Sequence, residues 1–183
     1  MPSKSREFRK LNVSGTFDIL HNGHELLFHN SFELSDIVVI GLTTDKLVKQ
    51  LSKSHSVTSY ETRLTQLEKF FEAKGWLSRA QIQPIDTVYG FAPEMKELEA
   101  IVTSQETRKR ALDINRMRHS RGLKPLKIIV VAPFLDHEGK PVSVTRIRAG
   151  EIDIHGRAHK EKAPTGTRRG RSDYSGTKHS FAQ

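Results

Sequence analysis

Two histidines stand three residues apart in His21-Asn22-Gly23-His24, shortly after Gly15-Thr16-Phe17-Asp18. At that spacing each imidazole can offer a ring nitrogen to one anionic group. The residues before the pair, 11–15 (LNVSG), read as a short strand that ends on glycine. Those after it place Leu26, Leu27, Phe28 and Leu34 on a helical period. A strand end and a helix start around a glycine turn leave backbone N–H groups exposed, and the helix N-terminus adds partial positive charge. A phosphate fits such a turn. Gly23, with no Cβ, would let a nucleotide approach the backbone closely. A lone histidine would be an ordinary surface residue; the H-x-G-H setting gives this pair its weight. Zinc-binding helices usually place their histidines four apart, as in H-E-x-x-H, so no metal site is expected here.

The elements that must position this turn follow along the chain. Residues 36–42 (DIVVIGL) are a compact apolar run suited to a strand covered on both faces. Asp45 to Leu51 reads as a short helix. Tyr60 to Phe71 reads as a stronger one, with Leu64, Leu67, Phe70 and Phe71 on one face and Ser59 as N-cap. Residues 80–85 suit a strand, with Pro84 implying an edge or an end. Residues 100–104 and 127–134 are further strands, with a helix from Glu106 to about Ser120 between them, stopped by Gly122. Strands alternating with helices predict one Rossmann-like, doubly wound α/β domain over 11–153, with a parallel five-stranded sheet and its ligand at the carboxyl ends of the strands. Trp76 and Phe91 are expected to pack. Arg108, Lys109 and Arg110, with Arg116, Arg118 and Arg121, read mostly as a solvated face.

Composition narrows the function. With no cysteine among 183 residues, disulfides and thiolate metal sites are excluded. No run approaches the roughly 18 apolar residues of a membrane span, and the basic N-terminus has no long apolar stretch behind it, so a cytoplasmic protein is expected. The net charge of +9 is unevenly spread: +3 in residues 1–10, +1 in 11–153 and +5 in 154–183. The folded part is nearly neutral, so phosphate chemistry must come from placed residues, and no specific nucleic-acid partner is expected. Residues 154–183 hold few large apolar side chains and predict a disordered basic tail.

The string SGTFDILHNGH resembles the first motif of the HxGH nucleotidyltransferase superfamily, and Val142-Ser143-Val144-Thr145-Arg146-Ile147-Arg148 resembles its second, I-S-S-T-x-x-R. Between them, Asp86, Tyr89-Gly90 and Pro93, then Ser104-Gln105-Glu106-Thr107 with Asn115, Arg118, Gly122, Leu123 and Leu126, are similar to the archaeal and eukaryotic type of phosphopantetheine adenylyltransferase. The resemblance implies transfer of the adenylyl group of ATP to 4'-phosphopantetheine. It implies that His24 contacts the α-phosphate and that His21 supports the nucleotide phosphates, beside Gly15, Phe17 and Gly23. Thr16 and Lys53 would hold the attacking phosphate, and Ser143, Thr145 and Arg148 the leaving pyrophosphate. Glu106 would lie near the nucleotide. Magnesium is expected with ATP, held mainly by nucleotide and water, with no protein metal ligands. Val144 departs from the second serine of the motif. The rival within the superfamily is a nicotinamide or flavin mononucleotide adenylyltransferase or a glycerol phosphate cytidylyltransferase. Outside catalysis, the rivals are a nucleotide-binding domain and a protein that uses its tail on nucleic acid.

Overall fold

The computed structural model describes residues 5–51 and 56–158. Five parallel strands, β1 (Phe8–Gly15), β2 (Ser35–Thr43), β3 (Ala80–Ile85), β4 (Ala100–Thr103) and β5 (Lys127–Val130), form one sheet in the order β3-β2-β1-β4-β5. The helices are α1 (Asn22–Leu34), α2 (Asp45–Gln50), α3 (Tyr60–Ala73), α4 (Arg108–Ser120) and α5 (Val144–Arg148). The expected α/β architecture and parallel sheet are both present. Strand order reverses between β1 and β4, so the ends of those strands, Gly15 and Thr103, flank a crevice where ligands of such sheets bind.

The apolar run in β2 is buried on both faces because two cores use it alternately. Val38, Ile40 and Leu42 join Phe28, Phe32, Leu67 and Phe71 from α1 and α3. Val39 faces the other way, onto Ala111 and Ile114 of α4. Trp76 packs as expected, stacked on Phe32 with ring centroids 4.9 Å apart. α1 runs into β2 with no intervening loop, Leu34 being followed at once by the first strand residue, Ser35. Pro84 lies on the edge strand β3, where its missing N–H leaves no gap in the ladder.

Three expectations need correction. β5 ends at Val130, because Val131 makes the last sheet hydrogen bond, to the Thr103 carbonyl (2.9 Å), and Pro133 then turns the chain away to line the crevice. α4 begins at Arg108, two residues late: a turn from Ser104 to Thr107, closed by the Thr107 N–H on the Ser104 carbonyl, keeps Glu106 outside the helix. Arg118 is not solvated. It is 1% exposed, and its guanidinium donates to the carbonyls of Ala92, Met95 and Lys124 at 2.8 Å. It thereby pins the loop that follows Tyr89-Gly90 to the end of α4.

The ordered chain also runs past residue 153. Ile152 is buried and bridges to Ala158, and the Ile154 carbonyl accepts from the N–H of Asn22 at 3.0 Å. The remainder of the expected tail, 159–183, lies outside the described residues.

Candidate active site

The crevice is a cavity of about 450 Å³, within the usual range of roughly 300–1,000 Å³ for small-molecule sites. Gly15, Phe17, His21, Gly23 and His24 line it from the first motif, Glu106 from the turn before α4, and Ser143 and Val144 from the second motif. Its apolar wall includes Val88, Ile101, Ala111, Ile114 and Phe134. Thr16, Thr145 and Arg148 do not line it. Lys53 lies outside the described residues.

The first motif is built by its own side chains. Phe17 has φ 49°, the one positive φ of a non-glycine residue among those described. That conformation is uncommon for a bulky residue and is held only by its surroundings. It folds the ring of Phe17 back under Gly15, where a Cβ would lie 2.8 Å from Cζ. The same ring meets His24 edge-on, centroids 5.3 Å apart. Gly23 makes a similar allowance: a Cβ there would lie 2.8 Å from Cε1 of His21. Gly23 therefore also makes room for the imidazole, while it lines the crevice.

His21 is the N-cap of α1, and its Nδ1 accepts from the Gly23 N–H at 3.0 Å. An acceptor Nδ1 carries no proton, so the neutral ring must carry its hydrogen on Nε2, as a donor. The first-turn amides are thus not free for phosphate. The Asn22 N–H goes to Ile154, that of Gly23 to His21 Nδ1, and those of His24 and Glu25 to the His21 carbonyl. At the start of α1, anion contacts therefore fall to side chains. The rings of His21 and His24 lie against each other, centroids 3.9 Å apart.

Burial lowers the pKa of His21 from 6.5 to about 4, because desolvation disfavours the cation. The unfolded chain takes up this proton near pH 6.5 and the folded chain only near pH 4, so this residue makes stability fall as pH drops through that window. An NMR titration of the His21 Cε1–H is expected to show a midpoint near 4, with melting temperature declining below about pH 6.5. A midpoint at 6.5 would show that the ring is open to water.

Behind the crevice two arginines hold the loops. Arg63 is fully buried and donates to the carbonyls of Thr16 (3.0 Å), Thr43 (2.7 Å) and Thr58 (2.9 Å) and to Asp45 (2.9 Å). It joins the ends of β1 and β2 to α3. Thr16, fixed through its carbonyl, also meets the Thr43 hydroxyl at 3.3 Å. Arg146 donates to Asp136 (2.7 Å), Glu151 (2.9 Å) and the Pro141 carbonyl (2.9 Å), which fastens the second motif. Ser143 caps α5, its hydroxyl accepting from the Arg146 N–H at 3.4 Å.

Sequence reasoning passed over Asp18 and Asn12. Asp18 is buried; one oxygen accepts from the N–H and hydroxyl of Thr58, the other from Arg148 at 2.5 Å. Burial alone would raise its pKa, but these donors outweigh it and hold the carboxyl below its ordinary value. Arg148 thus rests on a carboxylate of the first motif, 130 residues away in sequence. Asn12 interrupts the apolar pattern of β1, and its side chain donates to the Val39 carbonyl at 3.0 Å in the cavity floor. A polar residue inside an apolar strand was the available signal.

The cytidylyltransferase-like family model matches residues 13–150. A phosphopantetheine adenylyltransferase of Thermococcus kodakarensis is 45% identical over 152 residues, covering 83% of this chain and 92% of the relative. One from Methanopyrus kandleri is 44% identical over 146 residues, covering 80% and 92%. Among solved structures, a protein of unknown function from Archaeoglobus fulgidus is similar with a TM-score of 0.60 at 28% identity, over 67% of this chain and 88% of that one.

Proposed function

Because this chain belongs to the cytidylyltransferase-like family and, within it, to the phosphopantetheine adenylyltransferases, we propose that the crevice joins the adenylyl group of ATP to 4'-phosphopantetheine. The products are dephospho-coenzyme A and pyrophosphate. The observation that carries the reading is the paired imidazoles of His21 and His24 on the wall of a cavity at the β1/β4 switch point.

The acceptor brings its own anionic oxygen, so the protein need not generate a nucleophile. A phosphate oxygen of 4'-phosphopantetheine attacks the α-phosphorus of ATP, a new P–O bond forms, and the bond to the β-phosphate oxygen breaks in line. Catalysis is then positioning and charge stabilisation. His24 meets the α-phosphate, where negative charge crowds in the transition state. His21, neutral with hydrogen on Nε2, donates beside it. Thr16 and Lys53 hold the acceptor phosphate. Ser143, Thr145 and Arg148 receive the pyrophosphate, and Arg148 turns to it from Asp18. Glu106 and the apolar wall flank the nucleotide. No group of three His, Cys, Asp or Glu among the described residues could hold a metal ion. Magnesium fits this site as an ion carried by the phosphates of ATP, where it would neutralise their charge. No helix among the described residues is long and apolar enough to cross a membrane.

Pyrophosphate release measured with ATP or CTP against 4'-phosphopantetheine, nicotinamide mononucleotide, flavin mononucleotide and glycerol phosphate tests the proposal. Turnover is expected with ATP and 4'-phosphopantetheine alone. Efficient turnover of another pair would move the chain to a different activity of the same superfamily.

Val144 gives a sharper test of the second motif. It lines the cavity as the first residue of α5, beside the capping Ser143. Val144→Ser adds a hydroxyl there and is expected to tighten ATP by at most about 1 kcal/mol, leaving acceptor affinity unchanged in calorimetric titrations. Tightened acceptor binding instead would reverse the assignment of the two phosphate sites.

A further inference from the structure

Residues 152–158 lie beyond the stretch that the family model matches, and the reaction as described assigns them nothing. They form a short strap whose turn is built on Asp153. One oxygen of Asp153 accepts from the N–H groups of His155 (2.9 Å) and Arg157 (3.0 Å), and the other from Arg157 Nε (2.7 Å). Ile152 anchors the strap in the interior at 1% exposure.

The strap touches both phosphate motifs. On one side the Ile154 carbonyl takes the Asn22 N–H (3.0 Å), and His155 Nδ1 donates to the Asn22 side-chain oxygen (3.1 Å). Asn22 stands between His21 and Gly23, so both bonds act on the start of α1. On the other side Gly156 is buried against the second motif. Its φ is +79°, and a Cβ there would lie 2.7 Å from Val142 Cγ2 and 3.4 Å from Asp136 Cβ. Val142 precedes Ser143, and Asp136 is the partner of Arg146.

We infer that the 152–158 strap is a positioning element that sets the spacing between the H-x-G-H turn and the second phosphate motif. The first motif offers the Asn22 N–H at its edge, the second offers the Val142 side chain at its own, and one seven-residue turn spans the gap. Without it, α1 has an unpaired N–H at its first residue, and the two halves of the phosphate site are left with the Asp18–Arg148 pair and the approach of the Val142 carbonyl to Gly23. Reaction in such a site depends on where the groups sit, and misplacement by about 1 Å can cost about 100-fold in rate. The inference rests on His21 and His24 acting at the reacting phosphates.

Asp153→Ala and Asp153→Asn in the full chain test it, because asparagine keeps an oxygen for the two N–H groups and alanine does not. Asp153→Ala is expected to lower kcat about tenfold with KM for ATP within about twofold, and Asp153→Asn to restore most of the loss. In the same alanine variant the His21 midpoint is expected to rise from about 4 toward 6.5, as water reaches the loosened turn. That reading needs no turnover, so it fails or holds separately from the proposed reaction. His155→Ala, an exposed truncation that cannot itself empty the core, should reproduce the kcat loss in part. An unchanged kcat in both alanine variants, whatever the melting temperature does, overturns the inference and leaves the strap a structural cap. A kcat loss that asparagine does not restore also overturns it, since the charge of Asp153 would then matter and not its turn.

Discussion

His24→Ala is expected to lower kcat about 100- to 1000-fold while KM for ATP changes only a few-fold. His24 lies on the first turn of α1, against the ring of Phe17 and beside that of His21, on the cavity wall. A donor aimed at the α-phosphate does more as charge accumulates there than it does for bound ATP, so its removal acts on the rate and spares the ground state. The measurement is steady-state kinetics with 4'-phosphopantetheine varied at saturating ATP, and ATP varied in turn. Turnover within about threefold of the unaltered chain would remove His24 from the reaction and leave it a packing partner of Phe17. The melting temperature of the same variant separates a loss of rate from a loss of fold.

Arg63→Met is expected to act the other way, on stability first. Three carbonyls, those of Thr16, Thr43 and Thr58, lose a donor they share, and the buried methionine cannot replace it. Breaking a buried network of this kind costs roughly 3–5 kcal/mol, which lowers the melting temperature of a domain this size by roughly 6–20 °C. KM for the acceptor should rise as well, because the Thr16 carbonyl is one of the three. Arg63→Lys keeps the charge but not the fork and should recover only part of the loss. A melt within about 3 °C of the unaltered chain would mean that water satisfies these carbonyls, and that the arginine is dispensable.

Most of the sheet could be read from residue order because its signals are local. β2 is an unbroken apolar run, α3 follows a capping serine, and each helix interval is long enough for a right-handed crossover. The first motif could be read for the same reason, since its histidines, glycines and Phe17 all fall within ten residues. What escaped was decided by partners distant in sequence. Arg118 sits among other cations in RMRHSR, and only the carbonyls of the 92–98 loop distinguish it from its neighbours. Asp18 gave no hint that it would meet Arg148. The free helix-start amides were a fair inference from a strand–turn–helix pattern. They failed because two partners came from elsewhere: the ring of His21, bending back on its own turn, and a carbonyl from residue 154.

The direct passage from α1 into β2 has a consequence for how the molecule opens. A helix joined to a central strand through a loop can fray or detach on its own; here the last turn of α1 cannot unwind without dragging Ser35, whose hydroxyl donates to the Ile37 carbonyl, out of the sheet. Arg79 reinforces the joint by donating to the carbonyls of Phe32 and Ser35. Amide hydrogens in the middle of α1 and in β2 should therefore exchange with deuterium together, and only as fast as the whole domain unfolds. Residues 152–158, anchored by Ile152 but outside the sheet and helices, should exchange faster than that unit. His21 and His24 are thus mounted on the last cooperative unit of the protein to open, while the chain that braces them from outside belongs to one of the first.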